Sequence, residues 1–316
     1  MKKVLVGYGI DVDAVARWID TKDGSRADPV EISRGMFGAL VGIDRLLKLL
    51  ATYDIKASWY IPAHTIETFP EQVSRIMEGG HEIGLHGYSH EYVSHLSERQ
   101  EREVLQKSIE VLTSFSGRKP SGWTAPAFTT SSRTVHLLEE MGIQYDHSFM
   151  HHDCQLYMTP YSDYGAVPTA YQGAHNLSRS AAAWMKRMPN PEVSSLVTVP
   201  ANWHLDDWPP FCPGDNSSNG FIDPYVVERM WKVHFEYCYE EYNEFVFPLS
   251  IHPQISGKPQ IVKMHQRLIE WINEFEGVEW CTFEEMVDRY KQGLISGYNV
   301  IKAMGTNEEI IPTHRR

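Results

Sequence analysis

Two histidines four residues apart follow a short apolar segment and are the first feature of this chain that could do chemistry. The stretch HEIGLHGYSHE (81–91) contains both His86 and His90, which come directly after its short apolar segment. Gly84 and Gly87 make a helix interior unfavourable there. With 15 histidines in 316 residues, about one such pair is expected by chance. A second pair, His147 and His151, does occur. The meaning of the first pair therefore depends on what lies beside it.

Polar residues also follow other strand-like segments. Asp11 and Asp13 follow VLVGYGI (4–10), and His252 lies near the end of FVFPLSIHP (245–253). In a barrel of parallel strands all these ends open on one face, where such enzymes keep their active sites. Asp13, His86 and His90 would supply one carboxylate and two imidazoles, a ligand set that leaves catalytic zinc a position for water. Surface histidines and loop-capping aspartates are the alternative, but the set at strand ends favours a metal site.

The same residues suggest separate catalytic roles, those of a general base and a general acid, around one divalent ion. A bound ion lowers the pKa of its water to about 7, which gives a nucleophile at neutral pH. Asp11 is predicted to accept the water's proton as general base, and His252 to protonate the leaving nitrogen as general acid. Zn²⁺ is the preferred ion, although cobalt, nickel or manganese would suit the same ligands.

Strand-like and helix-like segments alternate along the chain that positions these residues. Ser97 and Gln100 form a capping-box pattern that predicts a helix start. Strands are predicted at 4–10, 55–63, 81–86, 120–127, 143–149, 195–203, 245–253 and after 278, and helices at 32–53, 68–80, 97–115, 131–142, 223–242, 260–277 and before 293. Because parallel strands need helical crossovers, this order predicts an α/β fold, a distorted (β/α) barrel of seven or eight parallel strands, with an open doubly wound sheet as second choice.

The predicted domain organisation is simple. Residues 1–293 form a single catalytic barrel, interrupted by an irregular excursion at about 150–220, and residues 294–316 form a C-terminal tail. A rival metal cluster lies in one irregular segment at the start of this excursion and just before it, and a solvated loop is its default interpretation: His147, His151, His152 and Asp153.

Composition excludes several classes of partner and setting. A formal charge of −12 argues against nucleic acid or an anionic membrane. No apolar run approaches the ~20 residues that span a bilayer, and the start of the chain indicates a strand rather than a signal peptide. Four scattered cysteines form no C-x-x-C motif, so neither a disulfide framework nor a cysteine zinc site is indicated. We therefore expect a cytoplasmic protein.

Four motifs in this order resemble the polysaccharide deacetylase family, also called the NodB-homology or carbohydrate esterase family 4 group. They are GIDVDA, HGYSHE, GWTAPA and LSIHP. The chain is most similar to the family's intracellular branch, which contains the Helicobacter peptidoglycan deacetylase, cyclic imide hydrolases and PuuE-type allantoinases. The likeness covers about residues 1–290 and implies a distorted barrel with a divalent metal, usually zinc. It implies the same roles for Asp13, His86, His90, Asp11 and His252, and a homo-oligomer that is often a tetramer.

The chain departs from the family's secreted members in two motifs. Those members carry adjacent aspartates in the first motif, whereas Val12 intervenes here, and their third motif carries an arginine that orients the base. WTAPAF (123–128) has no arginine. Arg34 could substitute for it from the first loop, or it could be a solvated residue at a helix start.

Several further residues could contact substrate or support the catalytic groups, each with a structural alternative. Trp203 ends the sixth strand and is the best pocket candidate, whereas Trp184, Trp208 and Phe211 suit a core or an interface equally. Asp206 and Asp207 either orient His252 and bind substrate or cap a turn. Asp146 either supports the acid or a ligand histidine or is an ordinary strand-end carboxylate. Trp123 and Pro126 of the third motif complete the candidates.

The sequence thus predicts a metal-dependent hydrolase of non-peptide C–N amide bonds. A small cyclic amide, imide or ureide is the preferred substrate, because aromatic walls with few polar groups suit a small planar ligand. The alternative is an N-deacetylase of peptidoglycan or another N-acetyl sugar, and a metal-free binding or structural protein is an alternative of another class.

Overall fold

The computed structural model describes residues 2–19, 24–161, 180–185, 187–213 and 220–304, and within them nine strands form one curled sheet. The strands are β1 Lys3–Asp11, β2 Ser58–Ile61, β3 Glu82–Leu85, β4 Gly122–Trp123, β5 Tyr145–Asp146, β6 Tyr157–Pro160, β7 Val193–Thr198, β8 Glu244–Ile251 and β9 Val278–Trp280. Their order is β6-β7-β5-β4-β3-β2-β1-β8, with β9 paired to β1. All pairings are parallel except that of β6 with β7. The predicted distorted (β/α) barrel is therefore confirmed.

Strand β1 pairs with three other strands, β2, β8 and β9, and its residues 4–11 are all buried. Strand β8 pairs with it along residues 3–10. The other edge of β1 is divided between β9, at residues 4–6, and β2, at residues 9–11. A strand enclosed on both edges and both faces needs a continuous apolar run, which is what VLVGYGI supplies.

Helices surround the sheet. They are α1 Ala16–Ile19, α2 Pro29–Phe37, α3 Ile43–Thr52, α4 Ala63–Thr68, α5 Pro70–Glu78, α6 Glu98–Ser116, α7 Thr134–Glu140, α8 Trp208–Phe211, α9 Pro224–Glu241, α10 Pro253–Ser256, α11 Pro259–Ile272, α12 Phe283–Lys291 and α13 Val300–Met304. Shorter 3-10 turns cover Val93–His95, Pro126–Phe128, Ala181–Ala183 and Trp203–Leu205. The predicted capping box of Ser97 and Gln100 opens α6. None of the described helices has both the length and the apolar composition needed to cross a bilayer.

One π-helical turn, Gly38–Gly42, joins α2 to α3. It packs against the short helix α10, which follows β8. A Cβ on Gly42 would lie 2.2 Å from the carbonyl oxygen of Pro253, and one on Gly38 would lie 3.0 Å from Cβ of Gln254. Only glycine permits this approach of two backbones. The close packing holds α10, and with it Gln254, at the carboxyl ends of β1 and β8.

The sequence analysis missed strand β6. Residues 150–195 show no apolar period, because β6 has only four residues and ends at Pro160. Its Thr159 is buried, but the hydroxyl is bonded to that of Thr198 on β7 at 2.7 Å. A short antiparallel strand with a polar buried residue and a proline gives little sequence signal. Of the predicted excursion, residues 162–179, 186 and 214–219 lie outside the described residues.

The start of the predicted tail packs against β6. Ile295 and Val300 are buried, and the backbone N–H of Tyr298 donates to the carbonyl oxygen of Leu156 at 2.8 Å. Residues 305–316 lie outside the described residues, and the division of the chain at residue 293 stays a prediction.

Candidate active site

The carboxyl ends of β1 and β3 bring Asp13, His86 and His90 together. Nε2 of His86 lies 3.3 Å from Oδ1 of Asp13, and Nε2 of His90 lies 3.7 Å from the same oxygen. The loop after β3 can turn back because Gly87 has φ +70° and His90 itself has φ +62°, in the left-handed region. All three side chains are buried, and their candidate ligand atoms lie within 4.8 Å of one another.

Unsatisfied polar atoms show that these residues fit a divalent metal ion. Oδ1 of Asp13 and Nε2 of His86 are buried and have no hydrogen-bond partner among the described residues. Nδ1 of His86 donates to the carbonyl oxygen of Thr124 at 2.8 Å, which leaves the lone pair of Nε2 directed at Asp13. Buried polar atoms without partners are costly, and a cation held between them would supply the missing interaction. The second carboxylate oxygen of Asp13 accepts a hydrogen bond from Gln254 at 3.1 Å.

Asp11 lies beside this group of three residues. Its Oδ2 is 3.8 Å from Nε2 of His86 and 3.8 Å from Nε2 of His252. Burial raises the pKa of Asp11 above its ordinary value, although both imidazoles act in the opposite direction. A carboxylate with a raised pKa is a better proton acceptor near neutral pH than an exposed one.

His252 enters from the end of β8 and is held by one aspartate. Nδ1 of His252 donates to Oδ1 of Asp207 at 2.6 Å, and the backbone N–H of His252 donates to Oδ2 of the same carboxylate at 2.9 Å. Burial would lower the pKa of His252, but Asp207, and more weakly Asp206 and Asp13, raise it well above its ordinary value. Its Nε2 is left facing Asp11.

The two neighbouring aspartates, which the sequence could not separate, have different positions. Asp207 orients His252, whereas Oδ1 of Asp206 accepts a hydrogen bond from the backbone N–H of Trp208 at 2.7 Å and lies 4.0 Å from Nδ1 of His252. Asp206 also lines the cavity above the site. Burial raises the pKa of Asp206 above its ordinary value, and the charge of Asp207 adds to this effect.

A narrow cavity opens onto these groups. Its volume of about 40 Å³ is enough for a few water molecules. Aromatic rings from four segments of the chain line it: Tyr92, Phe128, Trp203 and Trp208. Phe128 meets Trp203 edge to face with ring centroids 4.8 Å apart, and Trp208 meets His252 in the same way at 5.1 Å. Trp203 is therefore a wall of the cavity, and its contact with substrate stays a prediction.

The structure places Arg17, rather than Arg34, at the cavity. Arg34 pairs with Glu31 at 2.6 Å and donates to Sγ of Cys212 at 3.3 Å, and it is not among the described residues that line the cavity. Arg17 lines the cavity with Asp11 and Asp13, and its guanidinium lies 5.4 Å from the ring of Trp208. The sequence analysis missed Arg17, although its position four residues after Asp13 was a usable signal.

Trp123 and Pro126 of the third motif are buried structural residues. Trp123 is completely buried in the main core. Pro126 lies beneath Gly87, where a Cβ would be 3.4 Å from its ring. Neither lines the cavity within the part of the chain that is described. Whether either residue contacts substrate stays a prediction.

Asp146 organises its own turn at the end of β5. Its Oδ1 accepts from the backbone N–H groups of Ser148 and Phe149, and its Oδ2 accepts from the Ser148 hydroxyl at 2.9 Å. That hydroxyl in turn accepts from the backbone N–H of Ala125 at 2.9 Å. The arrangement is the local strand-end role that the sequence left open, with no bond from this carboxylate to His252 or to a candidate metal ligand in the described residues.

The rival histidine cluster divides between two places. His147 is buried, donating through Nδ1 to the carbonyl oxygen of Val199 and bonded through Nε2 to the Ser250 hydroxyl. His151 is bonded to Tyr157. His152, Asp153 and Cys154 do lie together, but Nδ1 of His152 accepts two backbone N–H groups and so is already occupied.

Comparisons with known proteins show which family this chain is similar to. The family profile described as "Polysaccharide deacetylase" matches residues 41–145. A peptidoglycan deacetylase of Helicobacter pylori is 43% identical over 291 residues, covering 92% of this chain and 97% of the relative. A peptidoglycan deacetylase-like protein of Gibberella zeae is 37% identical over 90% of this chain and 85% of its own length.

Solved structures share the fold. A Mycobacterium smegmatis protein assigned as a polysaccharide deacetylase superposes with a TM-score of 0.76 at 25% identity, covering 94% of this chain and 93% of its own. The PuuE allantoinase superposes with a TM-score of 0.72 at 19% identity, covering 92% of this chain and 91% of its own.

Proposed function

Because this chain belongs to the polysaccharide deacetylase family, whose name denotes hydrolysis of an amide C–N bond, we propose that it is a divalent-metal-dependent hydrolase of small cyclic amides, imides or ureides. The reaction adds water across the amide C–N bond of the ring. The products are a carboxylate and a freed amide or amine on the same molecule.

The observation that carries the choice of substrate is the aromatic lining of a narrow cavity. Aromatic rings on several sides of the site suit a small planar group. A polymer substrate instead needs a groove that is open at both ends. The four rings stand on separate segments around the site, so they would meet a ring substrate on several sides.

We assign roles to the chain's own residues as follows. Asp13, His86 and His90 would hold the ion, with Zn²⁺ preferred, and when bound it supplies Lewis acidity and an activated nucleophile at neutral pH. Asp11 accepts the proton of the attacking water. His252, held by Asp207, delivers a proton to the nitrogen that leaves the carbonyl carbon. Arg17, at the cavity wall, would orient Asp11 or a polar group of the substrate.

A second candidate is favoured by one observation. The 43% identical relative is named a peptidoglycan deacetylase, which supports N-deacetylation of an N-acetyl sugar. The same residues would serve that reaction, because both substrates present an amide carbonyl to the site.

A substrate panel decides between the two. Succinimide, maleimide, hydantoin and allantoin would be assayed for ring opening beside oligomers of N-acetylglucosamine for acetate release. We expect ring opening of at least one cyclic substrate. Acetate release from the oligomers without ring opening would replace the first proposal by the second.

Metal analysis tests the part that both candidates share. The purified protein is expected to hold about one divalent ion per chain. His86→Ala should lose the ion and turnover together, whereas His136→Ala, on the exposed face of α7, should keep both. A metal-free protein with full activity would contradict the mechanism. A metal-free protein that turned over no substrate would support the non-catalytic alternative.

The remaining expectations are proposals about setting and assembly. They are a cytoplasmic protein with a small-molecule substrate, no nucleic-acid or membrane partner, and a homo-oligomer. Light scattering during size-exclusion chromatography measures the molar mass of the purified protein. A monomer would contradict the expected homo-oligomer.

A further inference from the structure

A chain of buried hydrogen bonds extends from His252 away from the cavity into the core. Oδ2 of Asp207 accepts the Ser256 hydroxyl at 2.5 Å. The Ser256 oxygen lies 2.9 Å from Nε2 of His265, and Nδ1 of His265 lies 3.2 Å from the Tyr8 hydroxyl. The chain thus links α10, α11 and β1 to the carboxylate that holds His252.

The chemistry of the groups fixes the direction of each bond. A carboxylate only accepts, so the single proton of the Ser256 hydroxyl is given to Asp207. The Ser256 oxygen must therefore accept the Nε2 proton of His265. Nδ1 of His265 is then unprotonated and accepts the proton of Tyr8. Every proton in the series points toward Asp207.

The surroundings prevent water from replacing any of these bonds. Ser256 and His265 are completely buried, and Tyr8 is 1% exposed. The ring of Tyr8 stacks on that of Trp280 with centroids 5.6 Å apart, and the His265 ring lies 5.8 Å from that of Trp231. Burial lowers the pKa of His265 to about 4, which is consistent with the neutral imidazole that this bonding pattern requires.

We propose that His265 is a positioning residue for catalysis, which through Ser256 fixes the Asp207 carboxylate and so the orientation and Nδ1–H tautomer of His252. Without the donated Nε2 proton, the Ser256 hydroxyl is free to rotate away and Asp207 loses one of three donors. A carboxylate held by fewer donors lets the imidazole move relative to the leaving nitrogen. The proposal rests on the proposed function, in which His252 is the acid.

The kinetic test compares three variants. His265→Leu removes both polar atoms and keeps an apolar side chain, whereas His265→Gln keeps a donor of similar reach. Thr134→Val is the control, since Thr134 is equally buried and bonded to Glu101 at 2.6 Å but lies on α7. We expect His265→Leu to lower kcat about 10- to 100-fold with KM changed less than about twofold, because misorientation of a catalytic group acts on the chemical step.

The other two variants make the result specific. His265→Gln should recover kcat to within about fivefold of the natural protein, and Thr134→Val should leave kcat unchanged, with the metal content equal in all three. Unchanged kcat in His265→Leu, or a loss carried by KM alone, would overturn the proposal. So would an equal loss of kcat in Thr134→Val, which would show a general response to core damage.

A spectroscopic test needs no substrate. In protein with ¹⁵N-labelled histidine, His265 should show the Nε2–H tautomer and His252 a proton on Nδ1. The His252 signals should shift in His265→Leu and return toward their original positions in His265→Gln. A His265 protonated at Nδ1, or His252 signals unmoved in His265→Leu, would contradict the proposal even if the substrate panel failed and the proposed function fell separately.

Discussion

The two ends of strand β3 carry buried polar groups of opposite character. At its start, Glu82 is fully enclosed by donors: Oε2 accepts from the Ser58 hydroxyl at 2.5 Å and from the backbone N–H of Glu284 at 3.1 Å, while Oε1 accepts from the Tyr145 hydroxyl. Just beyond its other end, His86 faces Asp13, and each has a buried atom that no other described residue hydrogen-bonds. Only residues 83–85 separate a completed network from an incomplete one.

This difference in hydrogen bonding distinguishes a polar group that stabilises the fold from one that can bind a ligand. A polar network that satisfies its own members stabilises the fold and offers nothing to a ligand. Unpartnered atoms persist in a folded protein when a ligand completes them or when strain is part of the function. Glu82, at the start of β3, therefore belongs to the scaffold, and His86, beyond its end, belongs to the candidate binding site. Both residues are buried.

The largest effect is expected from Asp13→Asn. This change should abolish binding of the divalent ion and lower turnover about 10³-fold or more, since a metal supplies several kcal/mol to the transition state. In the metal-free protein the free energy of unfolding should stay equal or rise, because a buried charge with an unsatisfied oxygen is removed. Metal analysis and denaturation in the presence of a chelator measure the two quantities.

Asp146→Asn is the matched control for that prediction. Asp146 is also a buried carboxylate at a strand end, but its oxygens are already bonded to Ser148 and Phe149. This variant should keep the ion and lose stability. If both variants lost the ion equally, the distinction between completed and incomplete networks would fail.

Glu82→Ala should give the converse result. Removing the carboxylate leaves the donors of Ser58, Tyr145 and Glu284 without an acceptor in the core, which should lower the free energy of unfolding by about 3 to 5 kcal/mol. The metal content and kcat of the folded protein should stay within about twofold. Chemical denaturation and steady-state kinetics provide the check, and a variant of normal stability without activity would reverse the comparison.

A smaller effect should appear in the pH dependence of stability. Burial raises the pKa of Glu82 from 4.5 to about 7. Between these values the unfolded chain has released the proton that the folded protein still holds, so this group's stabilising contribution is complete below pH 4.5 and is lost as the pH rises through about 7.

Glu82→Gln isolates that contribution. The free energy of unfolding of the variant minus that of the natural protein should increase by up to about 3 kcal/mol from pH 4.5 to 7. Denaturation curves at several pH values measure it. A difference that is flat across this interval would mean that Glu82 is ionised in the folded protein.

The smallest effect is expected at the cavity wall. Trp203→Ala should leave stability almost unchanged, because the side chain is 38% exposed, and raise KM for a small cyclic substrate about three- to tenfold. Tyr237→Ala, on the exposed face of α9, is the control and should change neither. Should Trp203→Ala instead favour N-acetyl oligomers over cyclic substrates, the wall would be shown to select against larger substrates.

Much of the fold could be predicted from the sequence, because most of its helices and strands have signals in a few neighbouring residues. The capping box at Ser97 and the apolar run of β1 each depend on a few neighbouring residues. Strand β6 gave no such signal, since its burial depends on pairing with a distant strand. The division of the chain into a barrel and a tail has no comparable local signal and stays a prediction.

The residue types of the candidate site were also visible in the sequence, whereas their partners were not. Strand ends in a parallel barrel share one face, so Asp13, His86 and His90 could be grouped before any distance was known. Which aspartate holds His252, and whether Arg17 or Arg34 lies at the cavity, depended on how loops far apart in the chain pack together. The sequence by itself determined which chemically active residues are present and at which edge of the sheet they lie. Only the tertiary structure decided which hydrogen bonds were completed, because a bond between residues 45 or more positions apart leaves no periodic trace along the chain.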